Sequence, residues 1–487
     1  MFEGELRKKT GFFLGPFVFL VVYLWPMAMP RSAHRLLALF AFVIVFWLFE
    51  VIPIGITALL GAALMVPLGI TGTKEAFSAF SNPIVMLFLG SFILADAMIK
   101  HNLHRRIALY LLSQKWVTSS FFGLIFAIAF IPYFLSMWMS NTATTAMMLP
   151  ITLGMLNMIE EGKGKKMSTH TGILLLIAYA ASIGGIATPV GTPPNLIALG
   201  FLKKLGYDIG FFQWMLFAVP VSLLTLLFLL LYMYFAIEKP DIKSEELHKK
   251  VMEEKEALGS MSKGERNILI VFTLVVILWV LPGLMRAIGK ITHFAELLNL
   301  YSVFHKYLNE KVVAILGASL LFIIPTDFKK MEFTLGIKSL SRIDWSTLLL
   351  FGGGLSLGTQ VFKSGLAAQI GGVLRGIMAP ATFVVALFIV VISLDFLTEI
   401  TSNTATSNAF IPIIIGVAQA TGLPLLPLVI GGTLAASFAF MLPVATPPNA
   451  IVFGSGKIAL KEMIKTGIVL DIVGAFIVTI LVYLFVH

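Results

Sequence analysis

Two short polar runs of nearly the same sequence interrupt long apolar stretches of this 487-residue chain. They are SNTATT at residues 140–145 and SNTATS at residues 402–407. Their hydroxyl and amide oxygens are hard ligands suited to Na⁺, and Ser and Asn favour the start of a helix, where free N–H groups attract anions. Each run could simply cap a turn. Because the run occurs twice, each time about fifty residues before a PPN tripeptide, we favour a binding site.

The PPN tripeptides lie in a second repeated pattern, GTPPN at residues 191–195 and ATPPN at residues 445–449. Proline has no N–H to donate, and the residue before a proline avoids helical dihedral angles. We therefore expect two apolar helices to unwind at these prolines. Carbonyl groups freed inside a membrane persist only where they line a cavity or coordinate a ligand.

Positive side chains are absent around these motifs: no Lys, Arg or His occurs in residues 116–162, 171–202 or 376–456. The charge of an anion bound there must be balanced by helix N-termini and by bound cations. Asp395 and Glu399 precede the second run, and we favour a structural role for them over proton coupling. Glu50, Asp96 and Asp471 are interpreted as packing or hydrogen-bond anchors.

The composition indicates that the motifs lie in an all-α polytopic membrane protein. Hydrophobic residues make up 58% of the chain, charged residues 12%, and the mean hydropathy is +0.95, which excludes a soluble domain. The absence of Cys excludes disulfides and thiolate metal sites. Eleven transmembrane helices are predicted, within residues 11–29, 34–52, 54–71, 83–99, 171–201, 211–237, 267–285, 312–325, 346–362, 425–455 and 466–486. Residues 121–157 and 380–420, which contain the polar runs, are predicted to form re-entrant helical hairpins.

The basic residues predict the orientation of the chain in the membrane. With both hairpins entering and leaving on one side, 24 of the 35 Lys and Arg residues fall on the cytoplasmic side. We expect a multi-pass protein of the cell inner membrane with a cytoplasmic N-terminus and an external C-terminus. The net charge of +10 is thereby explained by topology, and no nucleic-acid partner is expected.

The chain also contains an internal repeat. Residues 87–103 resemble residues 349–366, and residues 187–197 resemble residues 442–451. We divide the chain into an N-terminal segment with the first transmembrane helix, a first repeat, a charged cytoplasmic linker and a second repeat (residues 1–33, 34–237, 238–266 and 267–487). Each repeat has an odd number of crossings, so the second is inverted relative to the first. Inverted repeats with matching broken helices are typical of secondary transporters, whose site lies near the membrane midplane.

Together the motifs resemble those of the divalent anion/sodium symporters, carboxylate transporters with two Ser-Asn-Thr motifs. The resemblance covers nearly the whole chain and rests on LSMWMSNTATTAMMLP, ASIGGIATPVGTPPN, LLLFGGGLSL, FLTEITSNTA and FMLPVATPPNAIVFGSG. It implies a homodimer surrounded by membrane lipid, in which a transport domain moves against a scaffold domain by an elevator mechanism. The implied activity is Na⁺-coupled symport of C4 dicarboxylates such as succinate, malate and fumarate. Na⁺-independent dicarboxylate exchange and Na⁺-coupled transport of citrate or sulfate remain alternatives.

The resemblance further implies which residues form the site. The first Na⁺ would be bound by Ser136, Ser140, Asn141 and the Gly191 carbonyl, and the second by Thr398, Asn403 and the carbonyls of Thr401 and Ala445. Substrate carboxylates would contact Asn141, Thr142 and Thr192 on one side, and Asn403, Thr404 and Pro447 on the other. Relatives carry a serine where this chain has Thr192, which leaves size selectivity open. Na⁺ is expected as the co-transported ion, with no catalytic residues.

Other classes of protein are less compatible with the motifs. An intramembrane enzyme would need a convergent His or a facing pair of Asp residues, and a channel would need a continuous charged or carbonyl-lined pore. The glycine run FGGGLSLG at residues 351–358 lacks the Lys-Ser/Thr ending of a phosphate loop. We interpret it as a surface for close helix packing.

Overall fold

The structure is a computed structural model that describes residues 2–160, 166–242, 244–378 and 382–486. In this part of the chain the architecture is almost entirely helical. The helices of the first half are α1 (Phe2–Leu24), α2 (Arg31–Phe49), α3 (Ile54–Leu64), α4 (Thr73–Ser78), α5 (Pro83–Lys100), α6 (Leu103–Leu112), α7 (Lys115–Thr118), α8 (Phe121–Ser136), α9 (Asn141–Leu156), α10 (Thr169–Ile186), α11 (Pro193–Lys204) and α12 (Phe211–Ala236).

The remaining helices begin with α13, which lies within the predicted linker, and those from α14 onward belong to the second half. They are α13 (Ser244–Glu256), α14 (Lys263–Thr292), α15 (Ala295–Tyr307), α16 (Glu310–Leu320), α17 (Trp345–Lys363), α18 (Leu366–Met378), α19 (Phe383–Thr398), α20 (Asn403–Thr421), α21 (Leu425–Ala435), α22 (Pro447–Phe453) and α23 (Leu460–Phe485). Short 3₁₀ helices occur at Ala79–Ser81 and Ile337–Arg342. Two minimal antiparallel strand pairs are also present: β1 (Ile159–Glu160) with β2 (Asp241–Ile242), and β3 (Pro325–Asp327) with β4 (Glu332–Phe333).

Each of the eleven predicted spans overlaps a helix or a pair of broken helices, and the predicted fold class is confirmed. Helices α3 and α16, of 11 residues each, end at Leu64 and Leu320, before the ends of the spans predicted at 54–71 and 312–325. Within the described residues, six helical segments are long and apolar enough to cross a membrane: α2, α4 to α5, α10, α12, α14 and α23. The first helix differs from its prediction because it begins at Phe2 rather than at residue 11. Its early residues are good helix formers such as Glu, Leu, Arg and Lys, which extend the helix beyond the apolar segment.

The two SNT runs form the turns of two helical hairpins, α8–α9 and α19–α20. Ser140 and Ser402 have the extended conformation of an N-cap residue, with φ/ψ of −64°/140° and −66°/132°. The second helix of each hairpin starts at the following residue, Asn141 or Asn403. The predicted turn at each run is confirmed.

The PPN tripeptides begin the second halves of two broken helices. The first, α10, ends at Ile186, and α11 begins at Pro193. The second, α21, ends at Ala435, and α22 begins at Pro447. Proline suits the first helical position because its missing N–H has no partner there in any case. Both helices are therefore interrupted where the sequence predicts.

The glycine run lies in the continuous helix α17, where it permits close packing as predicted. A Cβ atom on Gly353 would lie 2.5 Å from the Ala58 carbonyl oxygen of α3, and one on Gly358 would lie 2.9 Å from the Pro412 side chain of α20. Asp96 anchors α5, because both its oxygens accept hydrogen bonds from the Arg342 guanidinium, at 2.7 and 2.8 Å. The elements around the hairpins are thus fixed by backbone approach and by one bidentate ion pair.

Candidate functional site

The two hairpin turns and the two PPN loops meet at one cavity of about 700 Å³. All six predicted substrate residues line it: Asn141, Thr142, Thr192, Asn403, Thr404 and Pro447. Five of the eight predicted Na⁺ ligands line it as well: Asn141 and Asn403, already named, together with Ser140, Gly191 and Ala445. The other three, Ser136, Thr398 and Thr401, are buried behind the turns. The motifs of the two halves, far apart in sequence, are therefore neighbours in the fold.

At the first turn, hydroxyl groups hold the end of α8 to the elements that follow it. Ser136 Oγ donates to Asn141 Oδ1 at 2.5 Å, so the last residue of α8 orients the first side chain of α9. Thr188 Oγ1 donates to the Met137 carbonyl at 2.5 Å and ties the turn to the loop of the broken helix. The turn and the loop consequently form one connected unit.

Glycines bring the backbone oxygens of this unit close together. A Cβ atom on Gly185 would lie 2.5 Å from Asn141 Oδ1, and one on Gly191 would lie 2.9 Å from the Ser136 carbonyl oxygen. Larger residues at these two positions would push the chain segments apart. The result is a compact group of hydroxyl, amide and carbonyl oxygens around Ser136, Asn141 and Gly191, the donor set that suits Na⁺.

The second turn repeats this arrangement. Thr398 Oγ1 lies 2.7 Å from Asn403 Oδ1, as Ser136 does from Asn141, and 3.1 Å from the Ala436 carbonyl oxygen. Thr401 Oγ1 lies 3.2 Å from the Leu397 carbonyl oxygen and also contacts the Thr406 hydroxyl. The same hydroxyl-to-amide contact therefore occurs at both turns.

The tether between turn and loop is different in the second half. Here the Glu399 carboxylate accepts hydrogen bonds from the backbone N–H groups of Met441 and Leu442, at 2.7 and 3.0 Å. This arrangement agrees with the structural role favoured for Glu399. Asp395 is fully buried, and neither carboxylate oxygen has a hydrogen-bond partner among the described residues.

The asparagines of the PPN tripeptides have a function that the sequence analysis missed. Asn195 Nδ2 donates to the carbonyls of Gly185, Ile186 and Thr188, at 3.2, 3.3 and 2.7 Å. Asn449 Nδ2 donates in the same way to carbonyls of the second loop, at 2.9 and 3.0 Å. Some of the carbonyls freed by the broken helices are thus bound by an amide of the protein. The Asn that follows the prolines in both repeats was the sequence signal from which this function could have been predicted.

Four helices begin at the cavity with a Ser or Thr as the N-cap residue, and only two of these hydroxyls cap their helices. Ser140 caps α9 by accepting from the Ala143 N–H at 3.1 Å, and Thr446 caps α22 by accepting from the Asn449 N–H at 3.4 Å. Neither Thr192 nor Ser402, the N-cap residues of α11 and α20, makes such a bond. Both residues line the cavity, and we expect their hydroxyls to be within reach of a bound ligand.

The electrostatics of the cavity favour an anion only in the company of cations. No Lys, Arg or His is among the described residues that line it, and Glu50 and Asp344 add negative charge to the wall. The helices α9, α11 and α20, of 16, 12 and 19 residues, begin at the cavity with their partly positive ends. Half a charge or less at each end does not neutralise a dianion, so bound cations are needed as well.

A second wall of the cavity was not predicted. It contains Glu50 after α2, Ile54 at the start of α3, Phe92 of α5, and Asp344 before α17. Asp344 caps α17 by accepting from the Thr347 N–H and hydroxyl, at 3.0 and 2.6 Å. Sequence offered no local signal for this wall, because its residues come from elements that meet only in the folded protein.

Comparison with known proteins places the chain in a family. The model of the sodium:sulfate symporter transmembrane region matches residues 7–486. The chain belongs to this family. The members of this family are membrane transporters. The expected family is therefore confirmed, as is the expectation of a multi-pass transporter rather than an enzyme.

Two named relatives and one solved structure resemble this family member over most of its length. The sodium-dependent dicarboxylate transporter SdcS of Staphylococcus saprophyticus is 35% identical over 494 residues, covering 98% of this chain and 91% of that protein. SdcS of Staphylococcus aureus strain USA300 is 34% identical over 504 residues, covering 99% and 93%. The Alcanivorax borkumensis YdaH transporter has a TM-score of 0.58 at 12% identity, covering 93% and 98%, which supports the fold alone.

Proposed function

We propose that this protein takes up C4 dicarboxylates such as succinate, malate and fumarate together with Na⁺. The observation that carries the proposal is the meeting of two oxygen-rich hairpin turns and two broken helices at one cavity whose described lining contains no fixed cation. The sodium-dependent dicarboxylate transporters at 34 and 35% identity support the same activity.

In this proposal each turn binds one Na⁺ and one carboxylate of the substrate. The first ion is bound by Ser136, Ser140, Asn141 and the Gly191 carbonyl, and the second by Thr398, Asn403 and the carbonyls of Thr401 and Ala445. One carboxylate contacts Asn141, Thr142 and Thr192, and the other contacts Asn403, Thr404 and Pro447. The ions supply the positive charge that the cavity wall lacks, so substrate affinity depends on Na⁺.

We further propose an elevator mechanism. The cavity lies between the hairpins with their broken helices on one side and the α2–α3 junction, α5 and α17 on the other. The hairpins and broken helices would move together as a transport domain, because Thr188 and Glu399 tie each turn to its loop. The opposite wall would belong to a scaffold domain that also forms the homodimer.

The proposed topology indicates the side of the membrane to which the cavity opens. With the N-terminus in the cytoplasm, Glu50, Asp344 and Gly454 lie at the cytoplasmic ends of their helices, and all three line the cavity. Val444, in the loop of the second broken helix, also lines the cavity and is 73% exposed, so the cavity is open. We infer that the structure represents an inward-open state of an inner-membrane protein.

The test is uptake of labelled succinate into liposomes that contain the purified protein. An inward Na⁺ gradient should drive accumulation, and replacing Na⁺ by choline should abolish it. Uptake that is unchanged without Na⁺, but stimulated by dicarboxylate inside the liposomes, would refute symport and identify an exchanger. Competition by unlabelled malate, fumarate, citrate and sulfate defines the substrate class, and competition by citrate or sulfate but not by malate or fumarate would refute the dicarboxylate assignment.

A further inference from the structure

A second cavity lies away from the SNT motifs, at the end of α14. It has a volume of about 240 Å³ and is bounded by the start of α12, the last turns of α14, and the helices α15 and α16. We refer to it as the α14–α15 cavity. The proposed transport mechanism gives it no role.

Two cations of this cavity have no acidic partner in the described part of the chain. They are Arg286 and Lys290, one turn apart on α14. The other Lys, Asp and Glu residues on the wall are already paired: Lys311 lies 3.1 Å from the Glu310 carboxylate, and the Asp208 carboxylate lies 3.5 Å from the Lys203 amine. The pair on α14 therefore leaves the cavity with unbalanced positive charge, which favours an anionic ligand.

Aromatic side chains form the rest of the binding surface. The Arg286 guanidinium lies 5.4 Å from the centre of the Tyr301 ring, a cation–π contact that holds it at the cavity. Behind it Phe211 and Trp279 stack with ring centres 4.8 Å apart. Cationic groups beside Tyr and Trp rings are typical of the membrane interface, where one end of the site is apolar and the other is wet.

The surroundings of the cavity indicate that the anion belongs to a lipid. Helix α12 exposes an apolar ridge that begins at the cavity: Leu216 lines the cavity and is 55% exposed, and the exposed Leu223 and Leu227 continue the same face of the helix. Helix α15 has no buried residue and exposes Val303 and Tyr307, as expected for an amphipathic helix lying in the interface. A free anionic metabolite would leave the apolar ridge without a contact, whereas lipid acyl chains would cover it.

We propose that the α14–α15 cavity binds the phosphate headgroup of an anionic phospholipid. Phosphate oxygens accept hydrogen bonds from Arg286 and Lys290, and the acyl chains lie along the apolar ridge of α12. The volume, about eight times the roughly 30 Å³ that a water molecule occupies in the liquid, suits a phosphoglycerol headgroup and excludes the chains.

The position of this site connects two parts of the fold. Glu310 Oε1 of α16 accepts a hydrogen bond from the Phe211 N–H, at 3.1 Å, and so joins the start of α12 to the helices around the cavity. Phe211 itself lines the cavity. A lipid bound beside this contact would stabilise the arrangement of α12 against α14, so bound lipid should raise the thermal midpoint of the protein.

The experiment measures lipid retention by the full-length protein in detergent, using native mass spectrometry. Wild-type protein should retain phosphatidylglycerol in preference to phosphatidylcholine. The double variant Arg286→Gln/Lys290→Gln should bind phosphatidylglycerol roughly 30-fold more weakly, since each cation near a membrane surface contributes about 1 kcal/mol. The control Lys329→Gln/Lys330→Gln removes the same charge from exposed residues away from the cavity and should behave like wild type.

Equal phosphatidylglycerol binding by wild type and the double variant would overturn the proposal, as would equal retention of the two lipids. A thermal-shift experiment separates lipid from free anion: soluble dihexanoyl-phosphatidylglycerol should raise the midpoint, and inorganic phosphate should not. An equal shift with inorganic phosphate would overturn the lipid assignment. If the double variant does not fold, Arg286→Gln alone should weaken binding and Arg286→Lys should restore it. None of these measurements depends on Na⁺-driven transport.

Discussion

Replacing Thr398 by Val tests the second proposed Na⁺ site while keeping the shape of the side chain. Thr398 is fully buried, and its hydroxyl contacts Asn403 Oδ1 at 2.7 Å and the Ala436 carbonyl at 3.1 Å. The substitution removes a proposed ion ligand and the group that orients Asn403. A buried hydrogen bond contributes about 1 kcal/mol, and an acceptor left without a partner costs about 1–3 kcal/mol.

If that loss falls on the Na⁺-bound state, the Na⁺ concentration for half-maximal uptake should rise roughly 5- to 150-fold. The assay is succinate uptake into liposomes as a function of Na⁺ concentration, together with the Na⁺-dependent shift of the thermal midpoint. Thr433→Val is the matched control. Thr433 is also fully buried, but its hydroxyl donates only within α21, to the Val429 carbonyl at 2.6 Å.

The Thr433→Val control should change the half-saturating Na⁺ concentration less than about twofold, because the hydrogen bond that it removes lies within one helix and does not connect two elements. A Thr398→Val variant that also stays within twofold of wild type would refute the assignment of this hydroxyl to a Na⁺ site. Ser136→Ala makes the corresponding test of the first turn. A response at one turn only would show that the two sites are not equivalent.

The remaining predictions concern the turns and the loops. Asn141→Ala and Asn403→Ala should each abolish Na⁺-driven uptake while the elution volume in gel filtration stays that of wild type, and Na⁺-dependent uptake retained by both variants would refute the site. Asn195→Leu should lower the free energy of unfolding by about 2–4 kcal/mol because buried carbonyls lose their donor, measured as a lower thermal midpoint; an unchanged midpoint would show that these bonds are dispensable. Glu399→Gln should also lower the midpoint, by about 1–3 kcal/mol in stability, because one amide oxygen cannot replace two carboxylate oxygens that bind Met441 and Leu442. A Glu399→Gln variant as stable as wild type would count against the tether.

Structural features that depend on residues adjacent in the sequence could be predicted from the sequence. The turn at each SNT run follows from the capping preference of Ser and Asn, and the break at each PPN follows from the chemistry of proline. The wall formed by Glu50 and Asp344 could not be predicted, because it depends on how separate helices pack. The use of Asn195 and Asn449 was missed because the freed carbonyls were assigned to a ligand without considering the amide next to the prolines.

Identical local sequence also failed to imply identical detail. Ser140 caps its helix and Ser402 does not, although both begin the run SNTAT. Their backbone angles differ by only a few degrees, so the difference arises from the surroundings of each turn. The first turn is tied to its loop by the Thr188 hydroxyl, and the second by the Glu399 carboxylate. A repeated motif therefore predicts where two elements lie more reliably than which hydrogen bonds they make.

The absence of Lys, Arg and His from the described lining of the transport cavity also has an electrical consequence. With one Na⁺ at each turn, a dicarboxylate dianion and its two cations would cross the membrane as a neutral unit, on which the membrane potential does no work. A third Na⁺ would carry one net charge inward, worth about 2.3 kcal/mol per 100 mV. The stoichiometry of the cycle would then be measurable as current: none for two ions, and an inward current for three.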